Sequence, residues 1–276
     1  VEHWLEINYW IVQFLSLMIE MIAIAIVFLM LERIWPIQKD ISFNEEKRTE
    51  VWLLLLNQLL VGPAAYAGMV FITVHMYSQY VPHQFFNDEI NSWPLILQIL
   101  LAALILDFST YVRHRLMHMK AWRVHAIHHS TEHINWLTAY RLHPIEMCVA
   151  MFFDLTVLHL IGFSGEGMVI ASQIMFAMNL FVHSNIHWEW PGFLRYMIGS
   201  PNLHRWHHAR TETEAFDKNF GVLFPFIDKA FGTFYHPKGK LPESYGIYQR
   251  EDEIPINHHF STQLLYPFYL RPSKKD

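Results

Sequence analysis

HRLMH (114–118), HAIHH (125–129), HSNIH (183–187) and HRWHH (204–208) are four histidine clusters embedded among hydrophobic segments. On a helix, residues three or four apart share a face, so each HxxxH and HxxHH presents two imidazoles to one point, a bidentate metal clip. Neighbouring helical residues point about 100° apart, so His128–His129 and His207–His208 are better placed to serve two adjacent metals than one. The ten histidines, His114, His118, His125, His128, His129, His183, His187, His204, His207 and His208, shared by two metals, give five each with one position open. A lone histidine is more often a hydrogen-bonded structural residue than a ligand. Four clusters together are different, because burying that many imidazoles without a partner carries a desolvation cost for each.

Working outward, the chain is 276 residues long, 53% hydrophobic and only 16% charged, which is apolar for a soluble protein of that size. Trp10–Leu31 has one acid, Glu20, and at a rise of 1.5 Å per residue spans roughly 30 Å of hydrocarbon. It is too long for a signal-peptide core and has no basic flank before it. Glu20 is expected to pack, protonated, against the next helix. A second span over 51–74 should kink at Gly62-Pro63. A third over 93–118 carries the first two histidines out at its surface end. The stretches 146–163 and 167–182, joined by a turn rich in glycine, form a short helical hairpin, re-entrant or spanning. The expected fold is therefore an all-α integral membrane protein: a single membrane domain, 1–276, of three transmembrane helices and a hairpin (146–182). A helical cap made of 119–145 and 183–276 holds the histidine site. All 20 Lys and Arg fall in 32–50, 112–145 and 183–276, and none in 1–9, 75–92 or 162–167. By the positive-inside rule the cap and the site face the cytoplasm.

Composition also excludes. The single Cys148 rules out an intrachain disulfide and a cysteine-based zinc site. A net charge of −5 gives no footprint for nucleic acid.

The order HxxxH, HxxHH, HxxxH, HxxHH resembles that of the fatty acid hydroxylase and sterol desaturase superfamily of membrane di-iron oxygenases. The resemblance covers roughly residues 30 to 235 and is tightened by Asp107 and Tyr111 ahead of His114, HHSTE (128–132), RLHPIE (141–146), HSN (183–185), NFG (219–221), Asp228 and FGT (231–233). Imidazole alone suits Fe, Zn, Cu or Ni. The resemblance implies two Fe ions, with Zn able to enter recombinant protein, and O2 as co-substrate for hydroxylation of a membrane lipid, fatty acyl or sterol-like. Desaturation or sterol-methyl oxidation uses the same scaffold. A metal-binding or transport protein is the rival from another class, but transporters place ligands near the bilayer midplane on broken helices. The resemblance also implies His143 of RLHPIE as a possible additional ligand. His133 and His159 read as structural, and His236, His258 and His259 as surface residues.

Ligating histidines usually donate their other N–H to an acceptor, for which Asp107, Glu132, Glu146 and Glu189 are candidates. Asn179 and Asn185 flank His183 and are placed to hold a metal-bound water. There is no GxGxxG fingerprint and no His-Pro-Gly-Gly haem motif, so electrons are expected from a separate ferredoxin or cytochrome b5 with its reductase. The membrane is expected to be a bacterial inner membrane or the endoplasmic reticulum. Metals close to the membrane surface favour oxidation near the polar end of the substrate.

Overall fold

The computed structural model describes residues 2–39, 42–72, 87–163, 165–247 and 257–269. Most of the expected 75–92 loop and part of the 236–276 tail lie outside them. Among the described residues there is no β-strand, only two isolated bridges, Pro36 with Ile186 and Ala209 with Tyr245. Helix α1 (Glu2–Ile34) is followed by α2 (Glu45–Leu56), a π-turn (Asn57–Val61) and α3 (Gly62–Ile72). Then come α4 (Leu95–Lys120), α5 (Trp122–His129), α6 (Pro144–Ile161) and α7 (Glu166–His183). The cap adds α8 (Pro201–His204), α9 (Pro225–Ala230) and α10 (Phe260–Leu265).

Three helical stretches among the described residues are long and apolar enough to cross a membrane: Glu45–Ile72, Leu95–Lys120 and Pro144–Ile161. The first hairpin leg, expected to be short for a crossing, is one of them. Helix α1 runs unbroken through 10–31, and Ile19, Ile22, Ile26 and Met30 stand exposed on it. Its other face, with Ile24, Ala25 and Phe28, packs on Leu54, Trp136 and Leu180. Glu20 is exposed rather than packed against a neighbour.

Sequence dictates the punctuation. Asn44 caps α2 by accepting from Lys47 N, with Glu45 and Glu46 in the first turn where the helix dipole favours acids. Pro63 brings no N–H and would press on a carbonyl one turn back; the chain absorbs this as the π-turn, in which Gly62 N–H reaches Asn57 O. The kink expected at Gly62-Pro63 is thus a widened turn just before it. Helix α6 starts on His143 and Pro144 and ends at Gly162, whose φ of 106° suits glycine.

Small residues let the central helices approach. Ala102 and Ala103 of α4, Ala171 of α7 and Leu158 of α6 share one buried cluster. A Cβ at Gly167 would lie 2.9 Å from Gln98 Cβ. Close packing through small side chains is the usual way apolar helices associate in lipid.

Beneath α5 lies a buried polar network. Glu46 of α2 accepts from Thr131 Oγ1 (2.5 Å), Glu132 N (2.6 Å) and His133 Nδ1 (2.7 Å). Arg141 donates from Nε to Ile127 O at 3.0 Å and lies 3.7 Å from Glu50, both side chains being fully buried. Breaking such a pair from one side costs about 3–5 kcal/mol, so the network clamps the histidine-bearing α5 onto α2. Thr131 of HHSTE and Arg141 of RLHPIE find their roles here.

Candidate metal centre

Nine of the ten clustered histidines come together, in two groups. His114 and His118 of α4, His125 and His129 of α5, and His207 form one; His128, His183, His204 and His208 form the other. Within each group the ligand atoms all lie within 4.8 Å of one another. Each i, i+4 pair, 114/118 and 125/129, shares a helix face and a group. Each adjacent pair is divided: the rings of His128 and His129 are at 90°, as are those of His207 and His208.

His187 is not brought to the site. Helix α7 ends at His183, and Ile186 then enters an extended bridge with Pro36. His187 N instead donates to Trp35 O at 2.7 Å, and its side chain is exposed. HSNIH lacks the helical continuity on which the spacing argument depends.

The outer nitrogens fix the tautomers. His114 Nδ1 donates to Phe220 O (2.9 Å), His183 Nδ1 to Asn179 O (2.7 Å) and His207 Nδ1 to Lys218 O (2.7 Å). His118 Nδ1 donates to Asp217 (2.9 Å) and His125 Nδ1 to Glu146 (2.7 Å). A carbonyl or carboxylate oxygen can only accept, so each of these neutral rings carries its proton on Nδ1 and leaves a bare lone pair on Nε2. Those lone pairs meet. His114 and His125 Nε2 are 3.0 Å apart. Burial pushes His125, His128, His129, His204, His207 and His208 well below the ordinary histidine pKa, so protonation does not relieve the repulsion. His207 Nε2 and both ring nitrogens of His208 are buried without any partner. A cation relieves all of this. Metal–nitrogen bonds of about 2.0–2.1 Å at right angles put cis nitrogens about 3 Å apart, which is the spacing found. The donor set fits transition-metal ions.

Of the expected acceptors, Glu146 is one. Asp107 acts at a remove: its buried carboxylate accepts from Val222 N (2.8 Å), Leu223 N (3.0 Å) and Phe224 N (2.6 Å). Asp228 accepts from Phe220 N and Gly221 N, both at 2.8 Å. Together they shape the loop whose Phe220 carbonyl holds His114. Glu132 pairs with Arg210 at 3.0 Å on the surface, and Glu189 lies 3.7 Å from Arg195, so neither serves a clustered histidine. Asn179 contributes its backbone carbonyl. Asn185 ties down the 36–38 segment, its Oδ1 accepting from Gln38 N (2.9 Å) and Arg205 (3.1 Å). His143 caps α6, accepting from Ile145 N and donating to Leu264 O at 3.1 Å, away from both groups. His236, expected at the surface, is buried.

Sequence reasoning missed Asp217 and the carbonyls of Lys218 and Phe220. Asp217 and Asn219 have φ of 56° and 57°, a left-handed conformation that Asp and Asn tolerate best among residues with a side chain.

A cavity of about 200 Å³ opens against both groups, touching His114 and His125 of the first and His128, His183 and His204 of the second. Its other walls include Ala150, Asp154 and Glu146 of α6, Met175 and Phe176 of α7, Arg113 of α4, and Leu142.

Residues 99–233 match the fatty acid hydroxylase family. The chain is 27% identical over 250 residues to an ornithine lipid hydroxylase of Rhizobium tropici, covering 88% of this chain and 71% of that one. It is 33% identical over 179 residues to the human (Homo sapiens) alkylglycerol monooxygenase, 62% of this chain and 38% of that one. A putative methylsterol monooxygenase of Dictyostelium discoideum is 29% identical over 170 residues, 54% of this chain and 56% of that one. The chain therefore spans most of the first relative but only part of the other two. No solved structure matches it. These matches and the histidine geometry place residues 99–233 in the fatty acid hydroxylase family.

Proposed function

We propose that the protein is an integral membrane lipid hydroxylase with two iron ions, one in each histidine group, His114, His118, His125, His129 and His207 holding the first and His128, His183, His204 and His208 the second. The observation that carries this reading is the convergence of imidazole nitrogens on two adjacent points beside one cavity between membrane helices. The three relatives named above are, by name, a lipid hydroxylase and two monooxygenases, which supports iron over zinc. When bound, a pair of Fe(II) ions supplies the capacity to reduce O2 and oxidise an unactivated C–H bond.

The chain's own residues do the rest. Glu146, Asp217 and the carbonyls of Asn179, Lys218 and Phe220 keep protons on Nδ1 and hold the rings in register. The apolar wall of Leu142, Ala150, Met175 and Phe176 excludes water and receives the acyl or ring part of the substrate. The cap lies on the side that carries all the Lys and Arg, which supports a cytoplasmic site. Electrons come from a separate carrier, a ferredoxin or cytochrome b5 with its reductase. Helix ends and cap loops supply the histidines, an arrangement unlike the midplane sites of transporters.

The test is lipid mass spectrometry with iron-loaded protein, an electron carrier and O2. The expected product gains one oxygen atom and requires the carrier. Loss of two hydrogens would make the enzyme a desaturase. A zinc-loaded protein that is as active as the iron form refutes the iron assignment.

A further inference from the structure

The cavity beside the histidines is not purely apolar. Arg113 and Asp154 face it from α4 and α6, inside segments long and apolar enough to span a membrane. An ionised side chain is costly there and marks a functional site by default. The pair is loosely made. Arg113 reaches Asp154 Oδ2 through one contact of 3.4 Å, while Ser109 Oγ donates to Oδ1 at 2.8 Å. Arg113 Nε is buried without a partner. Glu146 lines the same cavity; its Oε1 accepts from His125, and its Oε2 is buried without a partner. One N–H and one carboxylate oxygen are therefore unfilled beside the histidines, and each costs free energy until it is completed.

Electrostatics restricts what completes them. Glu146 commits its charge to His125, so an anionic headgroup would take Arg113 and leave Asp154 uncompensated, and a cationic one would do the reverse. Stripping one partner from a buried pair is far more costly than the pair is stabilising. A headgroup with no net charge that carries both a donor and an acceptor fills Nε and Oε2 and leaves the ion pair whole. Resting on the reading of the chain as a lipid hydroxylase, we propose that Arg113, Asp154 and Glu146 form a headgroup subsite. It selects lipids whose polar end is net neutral with both donor and acceptor, whether zwitterion or neutral hydroxyl group, and it rejects free acids and cationic amphiphiles.

The test uses four lipids with one acyl chain in mixed micelles: a zwitterionic aminoacyl lipid, a monoacylglycerol, the free acid and the primary amine. Binding is ranked by thermal shift of the metal-loaded protein, turnover by kcat/KM with the electron carrier, and metal content is measured in parallel. Wild type should prefer the net-neutral pair by at least about tenfold, and which of the two it oxidises tells zwitterion from hydroxyl. Asp154→Asn should raise the free acid against the neutral lipids by about tenfold, mainly through KM, and Arg113→Gln should do so for the amine. Metal content should stay at the wild-type level, since neither residue belongs to a histidine group. If a single variant fails to fold, the double variant R113Q/D154N restores neutrality and should bind metal while losing discrimination. Unchanged headgroup ranking in the variants, or free acid bound as well as the neutral lipids by wild type, overturns the subsite. Correct ranking in binding with no oxidised product from any lipid overturns the hydroxylase reading instead.

Discussion

Replacing Glu146 with glutamine separates the charge of this carboxylate from its shape. Its Oε1 accepts from His125 Nδ1 at 2.7 Å, with both side chains 2% exposed. Glutamine keeps an acceptor oxygen in the same place and removes the charge. A hydrogen bond to an ionised group contributes about 1.5–3 kcal/mol and one between neutral groups about 0.5–1.5 kcal/mol. The exchange therefore forfeits about 1–1.5 kcal/mol, or roughly tenfold in metal affinity. Alanine removes the acceptor and strands the His125 N–H, at a cost on the order of 10–100-fold. His125 belongs only to the five-histidine group, so the four-histidine group should keep its wild-type affinity. The assay is competition with a chelator of known strength, followed by elemental analysis of wild type, Glu146→Gln and Glu146→Ala. One class of site should weaken in that order while the other stays constant. Equal affinity in all three proteins, or equal weakening of both classes, refutes the assignment of Glu146 to one group.

Further outcomes follow from the same geometry. His187→Ala should leave metal content at the wild-type level, whereas His208→Ala should lower it; loss of metal in the first variant would return His187 to the site. Asp107→Asn sets an amide N–H against a backbone N–H and should cost about 1–3 kcal/mol, read as a lower Tm in detergent; an unchanged Tm would show that the 222–224 loop does not need the carboxylate. In metal-free protein the folded state keeps His125, His128, His129, His204, His207 and His208 neutral to well below the ordinary value of 6.5. Below that value the unfolded chain binds more protons, so stability should fall as pH drops, by up to about 1.4 kcal/mol per pH unit for each histidine; a flat Tm between pH 8 and about 5.5 would contradict this. Cysteine placed at Asn87 should react with an impermeant reagent outside intact cells and one at Glu212 should not, and the reverse pattern would invert the topology.

How far the sequence could be read depended on whether a helix connected the residues involved. HRLMH and HAIHH lie within single helices, so the i, i+4 rule placed their imidazoles correctly, and the 100° divergence of His128 from His129 foretold two groups. HSNIH has the same spacing but straddles the end of α7, and there the rule failed, because the chain turns extended at Ser184. The acceptors divide in the same way. Glu146 was visible as the acid that closes RLHPIE, while Asp217 sits on an exposed loop with nothing in its surroundings to distinguish it. Backbone carbonyls hold three of the rings, and any residue type can supply a carbonyl, so composition carries no trace of Phe220, Lys218 or Asn179 in that role. Asp107 shows the intermediate case: its motif position signalled importance, but its partners are amides more than a hundred residues away, a contact that only the folded chain defines. Asp228 takes the amides of Phe220 and Gly221, which explains why the NFG stretch and Asp228 accompany the histidines in one motif set. The loop they shape has to present a single carbonyl oxygen within 2.9 Å of His114 Nδ1, and a ring that turned over would aim N–H instead of a lone pair at the centre of its histidine group.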